Sequence, residues 1–315
     1  MSDNDLGHPL PLPDNPFPDW SRFLKELWMH GMSVQNIDQA LAKHHTLNAA
    51  NNIIEVFTRR NEAKVVRPSA FLACARQTYY SVQGEDPGGM PDNIGTTFAV
   101  GHLLHELSYA AIKSALPLGF DIRTELEVSL PDWWPTNIAK FNQRGSLDIV
   151  ITVKDWALAK KYLPTTAPSR MLIDLKSMGG YSYQKHGRTV WGEDPDPFGY
   201  LAQITVYADS LVPSQIDDGV IIAGINRDSL TKPLAPRFIT PEELRAELAR
   251  VKIAIEMALE GSDPGEELLI RHGKAAYFQC GRGGKPGYCA FREVCKSTPT
   301  REYGDSYSTR EYGDS

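Results

Sequence analysis

Apolar residues recur at mixed three- and four-residue intervals through WSRFLKELWMHG (20–31) and again over 33–59, a spacing that predicts two helices, the second with Ser33 as its cap. In VVRPSAFLACARQTYY, Pro68 and Ser69 form a helix start, which brings Cys74, Arg76 and Tyr80 onto or near its first two turns. The Gly- and Pro-rich GEDPGGMPDN then reads as a loop, and a helix is expected from about 94 to 116. The pattern next changes period. DIRTELEVSLP alternates like a strand, and QRGSLDIVITV and the apolar core of RMLIDLKS (170–177) read as two more, separated by a loop-like insertion, WALAKKYLPTTAPS. MGGYSYQKHGRTVWGEDPDPFGY is expected to be a loop, followed by a helix from about 198, a strand in DDGVIIAGI, and an amphipathic helix in TPEELRAELARVKIAIEMAL capped by Thr240 with Pro241 at its first position.

Composition narrows the class without naming a function. An apolar fraction of 42% and a charged fraction of 23% are those of a globular protein with a substantial core. No apolar run approaches a membrane span, and the first residues, MSDNDLGHPLPLPDNPFPDW, carry neither a basic region nor an apolar signal core, so a cytoplasmic protein without a membrane partner is expected. The net charge of -6 argues against a surface that is basic all over. A nucleic-acid partner would therefore have to meet a site bringing its own cations or metals. The Pro- and Asp-rich start reads as an extended arm, and the polar tail, with TREYGDS written twice, as disordered. These features divide the chain into an arm and helical region (1–64), a main domain (65–296) and a tail (297–315).

Chemistry concentrates at a few positions. Asp174 and Lys176, two apart where a buried strand should emerge, point to the same side. A carboxylate and an ammonium so arranged can hold a divalent metal and meet the water or phosphate that it handles. Glu62-Ala63-Lys64 repeats the spacing by accident. Asp148 interrupts an apolar strand; it either accepts several hydrogen bonds or binds a metal, because a buried carboxylate needs compensation. Gly101 and His105 share a helix face, the glycine leaving room for another backbone or a ligand near the imidazole, which is itself a structural histidine or a metal ligand. His44 and His45 read as solvent-facing. Gln203 and Tyr207 recur at helical spacing with Tyr200. In the loop after Lys176, Tyr181, Tyr183, Lys185 and Arg188 mix aromatics with cations, as suits single-stranded nucleic acid or an ordinary surface loop. Four cysteines without a secretory signal suggest metal ligands or buried thiols; Cys74 stands alone while Cys280, Cys289 and Cys295 crowd the end.

Taken in order, Gly101-x-x-x-His105, Gly145-x-x-Asp148, Asp174-x-Lys176 and Gln203-x-x-x-Tyr207 closely resemble the motif series of the RecB-like branch of the PD-(D/E)XK nucleases. Gly89-x-x-Asp92 also fits the second motif, but its Pro-rich context and its place before the histidine reject it. PSAFLACARQTYY and GYCAFREVC resemble the cysteine elements of the iron–sulfur subgroup, which includes AddB-type helicase-nucleases and the CRISPR-associated adaptation nuclease. One departure is plain: eight residues separate Cys280 from Cys289 where the family usually has two. The resemblance covers roughly 65–296. It implies an α/β, restriction-endonuclease-like fold, with a mixed central sheet flanked by helices, a helical N-terminal region and a C-terminal iron–sulfur clasp.

It further implies an exonuclease acting on DNA ends or single strands in recombination, repair or processing. Asp148, Asp174, His105 and the Leu175 carbonyl would hold Mg²⁺ or Mn²⁺, Lys176 would orient or help deprotonate the water, and Gln203 and Tyr207 would position the lysine. Cys74, Cys280, Cys289 and Cys295 would bind a 4Fe-4S cluster, with zinc as the alternative at the same thiolates. Without a Walker A loop the chain looks like the small adaptation-type or phage-encoded exonucleases, the latter working in a host cytoplasm. A homo-oligomer would be compatible with this. Two rivals remain open: a non-catalytic DNA-end-binding adaptor on the same fold, and a zinc-stapled structural protein.

Overall fold

The computed structural model describes residues 19–33, 75–85, 94–135, 138, 144–186, 199–211, 218–262, 281–282, 285–286, 291 and 294–295, without the side chains of 94–99, 181, 185, 281–282 and 285–286. In chain order the elements are α1 (Trp20–Gly31), α2 (Ala75–Gln83), α3 (Ile94–Ala115), β1 (Phe120–Ser129), β2 (Arg144–Val153), α4 (Trp156–Ala159), β3 (Arg170–Met178), α5 (Gly180–His186), α6 (Tyr200–Leu211), β4 (Gly219–Asn226), β5 (Ala235–Ile239) and α7 (Pro241–Leu259). Two short strands come after them, β6 (Gly281–Arg282) and β7 (Lys285–Pro286). The protein is a mixed α/β structure with one five-stranded sheet of order β1-β2-β3-β4-β5. All neighbours are antiparallel except β3 and β4, which run parallel and are joined through α5 and α6.

The least polar strands occupy the centre because both of their faces are covered. Met171, Ile173 and Leu175 of β3, with Ile221, Ala223 and Ile225 of β4, pack against α1 and α3. Leu172, Val220 and Ile222 face the other way, onto α6 and α7. On the first face Trp20, Phe23, Leu24, Leu27 and Trp28 put the whole apolar stripe of α1 into the core, and its two indoles donate to Pro168 O and Lys232 O. The helix is therefore part of the main core, not an appendage to it. The expected boundary near residue 64, the helix expected after Ser33 (34–59), His44, His45 and the Pro68–Ser69 helix start lie outside the described residues.

Most elements lie where hydrophobic periodicity puts them. Thr240 caps α7 with a reciprocal capping box to Glu243, behind Pro241. Three features depart from expectation. Residues 180–186, expected to be loop, form α5. The insertion after β2 contains α4, capped by the Asp155 carboxylate on Ala157 N–H. The edge strand β5, APRFI, has no prior signal because it is five residues long and contains Pro236, which only an edge tolerates readily.

A bend in the β1–β2 hairpin decides where the chemistry-bearing face of β2 points. The register runs from Phe120↔Val153 to Thr124↔Ile149, omits Glu125 and Asp148, and resumes at Leu126↔Leu147. Glu125 has φ +49°, the left-handed region that costs an L-residue roughly 1–2 kcal/mol. The alternation changes phase there: Phe120 and Ile122 lie with the α1–α3 core, whereas Leu126, Val128 and Leu130 lie with the α6–α7 core. Ile149 and Leu147 split in the same way on β2. Asp148 sits at the crossing point.

Candidate active site

Asp148 stands where two strands separate. The β2–β3 ladder ends at Ile149↔Ile173, so Leu175 N–H, two residues further along β3, is free of that ladder. It donates instead to Asp148 Oδ2 at 2.7 Å, a side chain replacing a backbone acceptor as the strands diverge. Oδ1 of the same carboxylate faces α3, where Tyr109 Oη donates to it at 3.3 Å and His105 Nδ1 lies 3.5 Å away. Burial raises the Asp148 pKa, but the charge and contact of His105, the Lys176 charge and the Leu175 N–H together outweigh it, leaving the carboxyl below its ordinary value. His105 shows the mirror image. Desolvation pulls its imidazole down, and the Asp148 and Asp174 carboxylates overcome this to leave it raised.

Asp174 and Lys176 lie on the opposite face of β3, as their two-residue spacing requires. Lys176 Nζ donates to Asp174 Oδ1 and to Gln203 Oε1, both at 2.9 Å, and stands 5.0 Å over the Tyr200 ring. Both partners from α6 come from successive turns of one helix face. Tyr207, one turn beyond Gln203, engages Gln203 and the Ser146 backbone through its hydroxyl. Burial, then the charge of Asp174, pushes its phenol up, so it remains a donor. Its ring passes over Gly145, where a Cβ would stand 2.2 Å from Cε1, and this is the physical reason for a glycine three residues before Asp148.

Asp174 is only 2% exposed, and its Oδ2 is buried without a hydrogen-bond partner. Desolvation first, opposed by Lys176 and reinforced by Asp148, leaves its carboxyl pushed up to about 7. A sealed carboxylate oxygen with no donor is a seat for a proton or a cation, since leaving it bare costs too much. The two carboxylates and the imidazole influence one another's ionisation, so they share one electrostatic environment. Among the described residues, no group of three or more His, Cys, Asp and Glu side chains is drawn up at metal-holding distances. Lys176 occupies Asp174 Oδ1, and Asp148 is engaged by Leu175, Tyr109 and His105. The donor types nevertheless suit a hard divalent cation: two carboxylates, one of them with an unsatisfied oxygen, and one imidazole.

His105, Asp148, Asp174, Leu175, Lys176, Gln203 and Tyr207, expected from the sequence to act together, are thus linked through direct contacts or shared charge. Tyr183 is not among them; its hydroxyl donates to Pro233 O. The Tyr181 and Lys185 side chains, Arg188, Cys74, Cys280 and Cys289 lie outside the described residues. At Gly101 the described residues bring no other backbone close. A Cβ there would meet only the Ser177 side chain, at an ordinary 3.8 Å, so among the described residues nothing crowds it. Gly101→Ala is expected to raise stability by about 0.5–1 kcal/mol, the usual gain from removing a glycine inside a helix, measured by denaturant unfolding. Two members of the site went unassigned by sequence: Tyr109, whose i+4 spacing from His105 was an available signal, and the Tyr200 ring beside Lys176.

The chain matches no protein-family model and no curated protein. Among the described residues no helix is long and apolar enough to cross a membrane.

Proposed function

We propose that the protein is a divalent-metal-dependent deoxyribonuclease that hydrolyses phosphodiester bonds at DNA ends or in single strands. The observation that carries this is the pair on the central strand: Asp174, buried with one unsatisfied oxygen, and Lys176, tied to it and to Gln203. The mixed sheet between helix layers agrees with a restriction-endonuclease-like core of the RecB-like type.

Asp148, Asp174, His105 and the Leu175 carbonyl would hold Mg²⁺ or Mn²⁺. When bound, such an ion supplies Lewis-acid polarisation of the phosphate and lowers the pKa of water. Imidazole among the ligands favours Mn²⁺, because Mg²⁺ prefers oxygen alone. Lys176 spends two of its three N–H bonds on Asp174 and Gln203, leaving the third to orient the attacking water or meet a phosphate oxygen as charge builds there. Gln203 and Tyr207 act through the lysine: their chain of contacts fixes where the ammonium stands. The test is a Mn²⁺ titration against single- and double-stranded DNA labelled separately at the 5′ and 3′ ends, with a closed circle beside them. Cleavage that needs a free end and a divalent ion supports the reading, and no cleavage under any metal ends it.

A 4Fe-4S cluster on Cys74, Cys280, Cys289 and Cys295 belongs to the same proposal. Arg76 Nη1 lies 3.7 Å from Cys295 Sγ, and the Tyr80 and Phe291 rings are 6.0 Å apart, so the start of α2, next in the chain to Cys74, meets the C-terminal cysteine segment. Within the spacer between Cys280 and Cys289, β6 pairs with β7, Gly281 opposite Pro286. Ligands so distant in sequence would make the cofactor a clasp on the fold. Anaerobically purified protein is expected to be brown, and Cys74→Ala to lose both the colour and folded stability. A colourless protein with stoichiometric zinc and no iron would assign zinc to these thiolates instead.

A further inference from the structure

Tyr109 belongs to no motif in the chain, and its contacts set it apart from the rest of the α3 core. It lies one helical turn beyond His105, 3% exposed, with its ring edge against the imidazole at a centroid distance of 6.2 Å. A buried phenol hydroxyl needs an acceptor. This one reaches across from its helix to the sheet and finds Asp148 Oδ1.

The two oxygens of Asp148 are held unequally. Oδ2 is pinned by Leu175 N–H at 2.7 Å, within the sheet. Oδ1 is reached from α3, by Tyr109 at 3.3 Å and His105 at 3.5 Å.

We propose that Tyr109 is a positioning residue that fixes the rotation of the Asp148 carboxylate through Oδ1 and so sets the affinity of the site for its divalent cation. The proposal rests on the nuclease reading and deepens it. Partners of this kind, one bond behind a metal ligand, typically change metal affinity by about 10–100-fold when removed. Tyr109 also braces the His105 ring, so one side chain would orient two ligands from one helix face.

The experiment titrates MnCl₂ into the full-length protein by calorimetry, in the wild type, Tyr109→Phe and Ser108→Ala. Phenylalanine keeps the ring in the core and removes only the hydroxyl. Ser108→Ala deletes the neighbouring buried hydroxyl, which donates to Leu104 O within its own helix. The expected result is Mn²⁺ affinity about tenfold weaker in Tyr109→Phe with the metal-free fold retained, and wild-type affinity in Ser108→Ala. In cleavage assays Tyr109→Phe should raise the half-saturating Mn²⁺ concentration and leave KM for DNA alone. Wild-type Mn²⁺ affinity in Tyr109→Phe, or an equal loss in Ser108→Ala, overturns the role of Tyr109 while leaving the nuclease reading standing. A wild-type protein that takes up no Mn²⁺ overturns both.

Discussion

Asp174→Asn and Lys176→Ala are each expected to lower DNA cleavage by about 10²–10³-fold, with the fold retained, in single-turnover assays on end-labelled DNA with Mn²⁺. The scale comes from removing one preorganised charge from a water-poor site, which alone is worth about 10²–10³-fold. The two variants fail for different reasons. Asparagine keeps the volume of Asp174 but removes the charge that holds the ammonium and, on the proposed reading, would hold the cation. Alanine at 176 takes away the ammonium and leaves Asp174 buried beside Asp148. That carboxyl is already pushed up to about 7, and losing Lys176 drives it further up, so it meets neutral pH protonated. Protonation limits the folding cost of the change and at the same time weakens a metal ligand. Because both residues act through one contact, the double variant should be little worse than either single one. Activity near the wild-type level in either single variant would remove the pair from catalysis.

Gly31→Ala is expected to destabilise the protein by about 3 kcal/mol or more in denaturant unfolding, the upper part of the range for overpacking a core. Gly31 ends α1 where it meets α3, and an added Cβ would stand 2.0 Å from Ala111 O, 2.5 Å from its carbonyl carbon and 2.8 Å from its Cα. Backbone atoms in the middle of a helix cannot yield singly; α3 must move as a body, and with it His105 and Tyr109. The variant should therefore also bind Mn²⁺ more weakly. Gly145→Ala makes an instructive contrast, because its Cβ meets the side-chain ring of Tyr207 rather than backbone. A cost of about 1–3 kcal/mol is expected there, relieved by Tyr207→Ala in the same chain. A Gly31→Ala protein as stable as wild type would mean that α1 and α3 do not approach as described.

The two motif glycines expose the limits of reading spacing. Gly101 and Gly145 both head motif elements, and sequence treats them alike. Only packing separates them: one has room for a methyl group and the other lies under a tyrosine ring. The α5 helix shows the same limit from another side. GYSYQKH has glycine and polar residues enough to read as loop, yet His186 at its end is buried against Ile222 O, and that anchoring holds the turn-prone segment in helical form.

What the chain's own pattern determined is the set of elements with strong periodicity and the faces on which their residues lie. Asp174 and Lys176 had to share a side of β3 because strand side chains alternate, and Gln203 and Tyr207 had to share a side of α6 because four residues make about one turn. What only the tertiary structure decided is how those faces meet. The phase change at Glu125 and Asp148 depends on a left-handed backbone that no residue type there announces, and it is this bend, with the parting of β2 from β3, that turns Asp148 toward α3. The joining of Tyr109 to that carboxylate has the same cause. Local periodicity is written residue by residue, whereas the crossing of a bent hairpin with a helix is set by the summed packing of two cores on opposite faces of one sheet.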